Sequence, residues 1–290
     1  MDEAGLVVAR HRRHITVEDD NGRQHVCLTR KRVQPLVGDR VFWQSADGSA
    51  LVTEVLERTS TLTRIDSRGR REAIAANVDQ LLIVAAAAPQ PDRLLLDRYL
   101  AGAELMQIRG VVIFNKMDLL PEPPEFLDVY EAIGYPVRRT SVVARTGLDE
   151  LEAVMRGRRS AMVGQSGVGK SSLLNALLGA RAQAVGALSQ KGGHGRHTTT
   201  TAVLYKLPGG GELIDSPGVR RYAPYIERTA DVQRGFREFR PHLGHCRFDN
   251  CLHLAEPDCA VKAAVGAGEI DAARYDSYVK MCEQIRSLSK

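Results

Sequence analysis

The nine residues Gly164–Ser172, G-Q-S-G-V-G-K-S-S, constrain this chain more than any others. They fit the pattern G-x-x-x-x-G-K-[ST], in which a glycine-rich turn feeds a helix. By average composition the four fixed positions coincide in about one chain of this length per hundred. The flanks agree: Ser160–Val163 reads as a short buried strand, Leu173, Leu174, Leu177 and Leu178 form a helical apolar stripe, and Gly179 suits a helix stop. Gly164, Gly167 and Gly169 let the backbone turn tightly and aim its N–H groups inward, where they and the helix N-terminus attract phosphate oxygens. We take Gly164, Gln165, Ser166, Gly167, Val168, Gly169, Lys170, Ser171 and Ser172 as the phosphate cradle. Lys170 reaches the outer phosphates as a point charge, and the Ser171 hydroxyl is placed to ligate Mg²⁺.

A chain of 290 residues suggests two or three domains. Its longest apolar run, Leu81–Ala88, is far too short to cross a bilayer. Met1–Arg13 is charged, without the apolar stretch of a leader, so a cytoplasmic protein with no membrane partner is expected. A net charge of +5 is compatible with a nucleic-acid partner without requiring one.

Residues 1–68 read as a small Greek-key barrel of the OB-fold type. Ile15–Glu18 and His25–Arg30 flank Asp20-Asn21-Gly22, a hairpin signal, and Val41–Trp43 and Ala50–Leu56 are further strands. Between Arg10 and Arg40 eight Arg/Lys face four Asp/Glu, including Arg30-Lys31-Arg32. That excess is either a surface for RNA phosphates or a solvated barrel face. Base-stacking aromatics are scarce, with only Phe42 and Trp43 present, and Trp43 alone reads as core. Arg64–Ala76 is polar and contains glycine, so a linker is expected there.

Strand and helix patterns then alternate, as in a doubly wound parallel sheet spanning 69–228. Leu81–Ala86, Val111–Phe114 and Val137–Ser141 are buried strands, Asp92 caps a helix to about Met106, and Leu148–Met155 is a short helix. Leu120–Glu125 reads as a proline-rich connection. Asn115-Lys116-Met117-Asp118 ends the second strand. A carboxylate at Asp118 accepts both the ring N–H and the exocyclic amine of guanine, whereas adenine would leave it unpaired. Asn115 and Lys116 would brace the loop and cover the base, and a backbone N–H near Thr140-Ser141 would meet the guanine carbonyl. Alone, N-K-x-D is equally a capped strand-to-helix turn. At a strand's carboxyl end beside a phosphate loop it gains weight.

After the loop, Arg181–Thr201 is poor in large apolar residues and carries His197 and the threonines Thr198–Thr201. We read a surface loop from which a threonine, Thr199, closes on Mg²⁺ when a γ-phosphate is present; a linker without chemistry is the other possibility. Glu212–Ile214 is a strand ending in Asp215-Ser216-Pro217-Gly218. Asp215 is placed to hold Mg²⁺ through water, and the Gly218 N–H to sense the γ-phosphate. Five cysteines are present, and Cys246-x(4)-Cys251-x-His253-x(5)-Cys259 gathers three with a histidine. Three thiolates and an imidazole make the closed tetrahedral shell that structural Zn²⁺ prefers, with no position left for a catalytic water. Tyr278, Met281, Ile285 and Leu288 follow at helical spacing, so 229–290 is expected to be a helical zinc-binding unit whose metal supplies much of its folding energy. Cys27 and Cys282 read as structural.

These motifs resemble the set of a Ras-type GTPase in rotated order, because Asp118 precedes Gly164 by 46 residues where it ordinarily follows. Such a circular permutation is tolerated when strand order in space is kept. With the barrel before and the cysteine cluster after, the whole chain resembles the RsgA (YjeQ/YloQ) family of ribosome small-subunit-dependent GTPases. G-R-H-T-T-T, D-S-P-G and the cysteine cluster are the most specific signs. The resemblance implies an OB-fold, a permuted GTPase domain and a zinc domain, with one Zn²⁺ and with Mg²⁺ accompanying GTP. It also implies GTP hydrolysis stimulated by the small (30S) ribosomal subunit during its late maturation, contact with 16S rRNA, and a monomer. Permutation runs the D-S-P-G loop into the last domain, so nucleotide state is expected to move that domain through Val219–Arg228.

The position after D-x-x-G, where a glutamine orients the attacking water in Ras-like enzymes, is Val219. The histidine often found beyond D-S-P-G in this family is missing from Tyr222-Ala223-Pro224-Tyr225-Ile226. His197 is a weak substitute, and the water-positioning residue is unassigned; Lys170, Ser171 and Asp215 are the catalytic candidates. Two other classes fit parts of the pattern: an ATP-dependent P-loop enzyme, which has no use for Asp118, and a non-enzymatic RNA-binding scaffold with nucleotide as a structural ligand.

Overall fold

The computed structural model describes residues 2–288 except 47–48, 67–68, 180–201, 221, 223 and 225. The first five strands are β1 (Glu3–Arg10), β2 (Ile15–Asp19), β3 (Gln24–Thr29), β4 (Arg40–Ala46) and β5 (Ser49–Val55). They pair in the order β1-β2-β3-β5-β4 and close through a second pairing of β1 with β4. This is a five-stranded OB-type barrel, closed so that no edge is left inside it. Val7, Ile15, Val17, Cys27, Val41, Trp43 and Val52 fill its interior. The β2–β3 turn is held by Asp19, whose Oδ1 accepts the N–H groups of Asn21 and Arg23 at 2.9 Å each.

The linker expected over Arg64–Ala76 is a hairpin instead: β6 (Thr61–Ile65) pairs antiparallel with β7 (Arg71–Ala76). Gly69, Arg70, Arg71 and Glu72 face water, and Arg64 lies opposite Glu72 as a cross-strand ion pair. Leu62, Ala75 and Ala76 face inward and are buried.

The second sheet holds β8 (Gln80–Ala86), β9 (Arg109–Asn115), β10 (Val137–Arg139), β11 (Arg159–Gly164), β12 (Ala202–Lys206) and β13 (Glu212–Asp215). Its order is β10-β9-β8-β11-β13-β12, all parallel except β12. Helices α1 (Arg93–Leu105) and α2 (Phe126–Ala132) accompany one apolar core, and α3 (Leu148–Met155) and α4 (Lys170–Leu178) another, as a sheet covered on both faces requires. Asp92 caps α1, its Oδ1 accepting the Leu95 N–H at 3.0 Å. The barrel and this sheet are hydrogen-bonded together, because β12 pairs with the end of β1 through Ala9–Val203 and Arg10–Ala202.

The C-terminal unit is short turns followed by α5 (Ala260–Gly266) and α6 (Ala272–Leu288). It seats on α1. Gly235 packs so closely against Ala101 that an added Cβ would lie 2.7 Å from the alanine's Cβ. Arg274 of α6 is fully buried between Asp97 of α1, at 2.7 Å, and Glu238, at 2.7 Å. Its guanidinium also lies 4.6 Å from the Phe236 ring centroid. Among the described residues no helix is long and apolar enough to cross a membrane.

Candidate nucleotide pocket and metal centre

The phosphate cradle joins β11 to α4 where glycine alone fits. Gly164 has φ +144°, and an added Cβ would lie 2.1 Å from the Val84 carbonyl oxygen of the neighbouring strand. At Gly169, φ +97°, it would lie 2.4 Å from the Asn115 side-chain nitrogen. That second contact shows how close the N-K-M-D turn approaches. Asn115 Nδ2 donates to the Val168 carbonyl at 2.9 Å, and its Oδ1 accepts from Thr140 Oγ1 at 3.1 Å. Lys116 Nζ donates to the carbonyls of Gly167 at 2.7 Å and Ala88 at 2.6 Å. The two loops, 46 residues apart in sequence, are thus one braced structure at the carboxyl rim of the sheet. Asn115 is buried, so an unmade bond there would be costly.

Asp118 is exposed and accepts a hydrogen bond from Ser141 Oγ, which in turn accepts from the Ala144 N–H at 2.9 Å. The chain around Thr140-Ser141 has less to offer a base than expected. The Thr140 N–H donates to Phe114 and the Ser141 N–H to Thr146, so backbone donors for a guanine carbonyl fall to the turn at 142–145. Met117 is half-buried and its N–H donates to the Thr140 carbonyl at 3.1 Å.

A cavity of about 560 Å³ is lined by Lys116, Ser166, Gly167, Gly169, Lys170, Ser171, Ser172 and, from the neighbouring strand, Asp215. Lys170 Nζ donates to the carbonyls of Gly164 at 2.7 Å and Gln165 at 2.6 Å. Gln165 Oε1 accepts from the Asp92 N–H at 3.2 Å. A hydroxyl at Ser171 and a carboxylate at Asp215 are the hard oxygen donors that suit Mg²⁺. Gly218 lines a different, larger cavity together with Ser216. Val219 is buried at 1% exposure in the sheet's core and lines neither of these cavities. His197 and Thr199 lie outside the described residues.

In the C-terminal unit the ligand atoms of Cys246, Cys251, His253 and Cys259 all lie within 4.8 Å of one another. Cys246 Sγ is 3.8 Å from Cys259 Sγ, and His253 Nδ1 is 3.3 Å from Cys259 Sγ and 3.4 Å from Cys246 Sγ. Tetrahedral bonds of about 2.0–2.3 Å give ligand–ligand edges of roughly 3.5–3.8 Å. The residues therefore fit a metal ion. Burial raises the Cys251 thiol above its ordinary range, so a thiolate there needs a cation beside it. Burial lowers the His253 pKa, which favours the neutral ring that ligates. A partner the sequence did not flag is Gln233, whose Oε1 lies 2.7 Å from His253 Nε2. It leaves Nδ1 to face the three sulfurs, the usual support for a metal-binding imidazole. Tyr275 and Tyr278 hold the knuckle backbone through the carbonyls of His253, at 2.7 Å, and Leu252, at 2.5 Å. Cys27 and Cys282 stand apart, buried and free, their thiols raised to about 11.

A family model described as "RsgA GTPase" matches residues 55–224, the stretch that carries both braced loops. The chain belongs to the RsgA GTPase family. It is 47% identical over 287 residues to a protein of Chromohalobacter salexigens described as "Small ribosomal subunit biogenesis GTPase RsgA", covering 96% of this chain and 84% of that one. A protein of Azotobacter vinelandii with the same description is 44% identical, with the same coverage. Among solved structures, YjeQ from Thermotoga maritima superposes with a TM-score of 0.79 at 34% identity, covering 98% of this chain and 99% of that one. YloQ, described as a circularly permuted GTPase, gives 0.77 at 28%, covering 99% and 96%. The rotated motif order is therefore that of a permuted GTPase, and the protein is a GTP-hydrolysing enzyme of this family.

Proposed function

We propose that this chain binds GTP across the braced loops and hydrolyses it during late maturation of the small (30S) ribosomal subunit, contacting 16S rRNA and acting as a cytoplasmic monomer. The observation that carries the nucleotide assignment is the pair of bonds from Asn115 to Val168 and from Lys116 to Gly167, which ties the base-reading turn to the phosphate cradle. Asp118, oriented by Ser141, selects guanine. The cradle N–H groups hold the phosphates, and Lys170 leaves its carbonyl partners for the outer oxygens. Ser171 and Asp215 hold Mg²⁺, which neutralises charge on the phosphates when bound. Gly218 and Thr199 report the γ-phosphate. The Cys₃His cluster holds one structural Zn²⁺, and the units run 1–68, 69–228 and 229–290.

Burial of Val219 favours a slow enzyme that gains its water-orienting group from outside the pocket. GTP turnover titrated with purified small subunits tests this: turnover rises with subunit concentration and saturates. A rate unchanged by subunits would favour the scaffold alternative, in which nucleotide is only a structural ligand.

A further inference from the structure

Helix α1 is occupied on three faces, and each face meets a different part of the molecule. Leu96, Leu100 and Ala103 pack into the core of the parallel sheet. Tyr99 and Gly102 receive the chain that leaves D-S-P-G. The Tyr222 ring stacks on that of Tyr99 with 5.6 Å between centroids, and Pro224 lies against Gly102. A Cβ added at Gly102 would sit 2.6 Å from Pro224 Cβ and 3.2 Å from Tyr222 Oη. Asp97, Ala101 and Glu104 receive the C-terminal unit: Asp97 through Arg274, Ala101 through Gly235, and Glu104 through Arg237 at 2.6 Å and Arg240 at 2.5 Å. The first turn is tied to the phosphate cradle by the bond from the Asp92 N–H to Gln165 Oε1. Within Val219–Arg228, the covalent link to the C-terminal unit, Val219, Tyr222 and Pro224 are buried, whereas Glu227 and Arg228 are exposed.

Ala101 and Gly102 are consecutive, so the two outer contacts stand back to back. On one side a Cβ added at Gly235 would lie 2.7 Å from Ala101 Cβ and 2.9 Å from its Cα; on the other, Pro224 meets the bare backbone of Gly102. Neither helix residue carries a side chain long enough to absorb a shift, and close-packed interiors transmit displacement instead of yielding to it. We infer that α1 is a transmission element: the segment leaving D-S-P-G presses on it at Gly102 and the C-terminal unit follows its position, so that guanine nucleotide and the C-terminal unit are energetically linked through this helix. The inference rests on the GTPase reading of the pocket and adds to it the route by which nucleotide state leaves. Asp215 lines the pocket four residues before Val219, so a change at the phosphates meets the segment at its start. The buried Arg274–Asp97 pair and the two arginines on Glu104 fasten the unit to the helix on the face opposite that segment. Packed interfaces of this kind switch between discrete arrangements. The link is reciprocal: the state of the C-terminal unit alters the ratio of GTP to GDP affinity by the same factor.

Hydrogen exchange over residues 229–288 is measured in the full chain saturated with GDP or with a non-hydrolysable GTP analogue, nucleotide occupancy being read in the same samples. In the unmodified chain exchange differs at least about fivefold between the two forms. Gly102→Ala adds the methyl that Pro224 and Tyr222 exclude, and the difference falls below about twofold. Ala101→Gly takes a methyl from the opposite face, where no clash can arise, and has the same effect. Should Gly102→Ala not fold, Ala101→Gly decides the same question. A Gly-Ser-Gly insertion between the exposed Glu227 and Arg228 slackens the covalent link and leaves the difference intact. Equal exchange in the two forms of the unmodified chain, with both nucleotides bound, overturns the link. A chain that binds neither nucleotide overturns the pocket reading and the link with it. A difference that survives the α1 variants overturns the role of the helix, and its loss on insertion assigns the coupling to the covalent segment instead.

Discussion

The proposed nucleotide pocket and the Cys/His cluster proposed to hold a metal are built by opposite means. The pocket is backbone and long cations at an open rim: Ser171 and Ser172 are exposed, and Lys116 and Lys170 are bound for now to carbonyls. The cluster is short side chains with three of four members buried, held by Gln233 and two tyrosines. An open rim lets a ligand exchange and lets its loops respond to what is bound. A closed shell makes the ligand part of the fold. The units that carry them meet at α1, where Asp97 receives Arg274 from the C-terminal unit.

Removing the metal is the strongest way to break this comparison. Cys259→Ser, or chelation, is expected to reduce metal content from one per chain to none and to abolish hydrogen-exchange protection over 229–288, since metal binding in such units supplies about 10 kcal/mol or more. GDP binding at the open rim persists. Full protection without metal would make the cluster an ordinary apolar core. Arg274→Met tests the join: Asp97 and Glu238 lose their buried partner, and unfolding in urea should show a loss of about 3–5 kcal/mol. A change below about 1 kcal/mol would mean that the two regions are not coupled there. At the rim, Ser171→Ala lowers GTP turnover roughly 10²-fold with little effect on unfolding. The smallest effect is expected from Gln233→Ala, which weakens metal affinity about 10–100-fold in a competition titration and leaves GDP affinity alone.

Elements whose chemistry is local are legible in the sequence. The strand–cradle–helix unit, the N-K-M-D turn and the four clustered ligands each carry their spacing with them, and Leu148–Met155 is a helix over the very residues expected. What escapes depends on partners far along the chain. The β6–β7 hairpin reads as a linker because over Arg64–Ala76 charged residues outnumber apolar ones, three of which are alanines. β1 reads as a charged terminus, although Leu6, Val7 and Val8 bury against both the barrel and the sheet. Arg274 would be taken for a solvated helix residue until Asp97 arrives from 177 positions away. Gln233 becomes a support for His253 only once the knuckle is closed. The strand pairing of β1 with β12, which makes one sheet of two units, carries no side-chain signature at all.

The base-reading turn and the phosphate cradle form one pocket only if Asp118 contributes to the affinity of a ligand whose phosphates Lys170 holds. Titrating the unmodified chain and Asp118→Asn with GDP, ADP and xanthosine diphosphate measures this directly. The account predicts GDP far above ADP in the unmodified chain, and a loss of GDP affinity of about 10²-fold with a gain for the xanthine nucleotide in the variant. Equal affinity for GDP and ADP, or a variant that still prefers GDP, would contradict it.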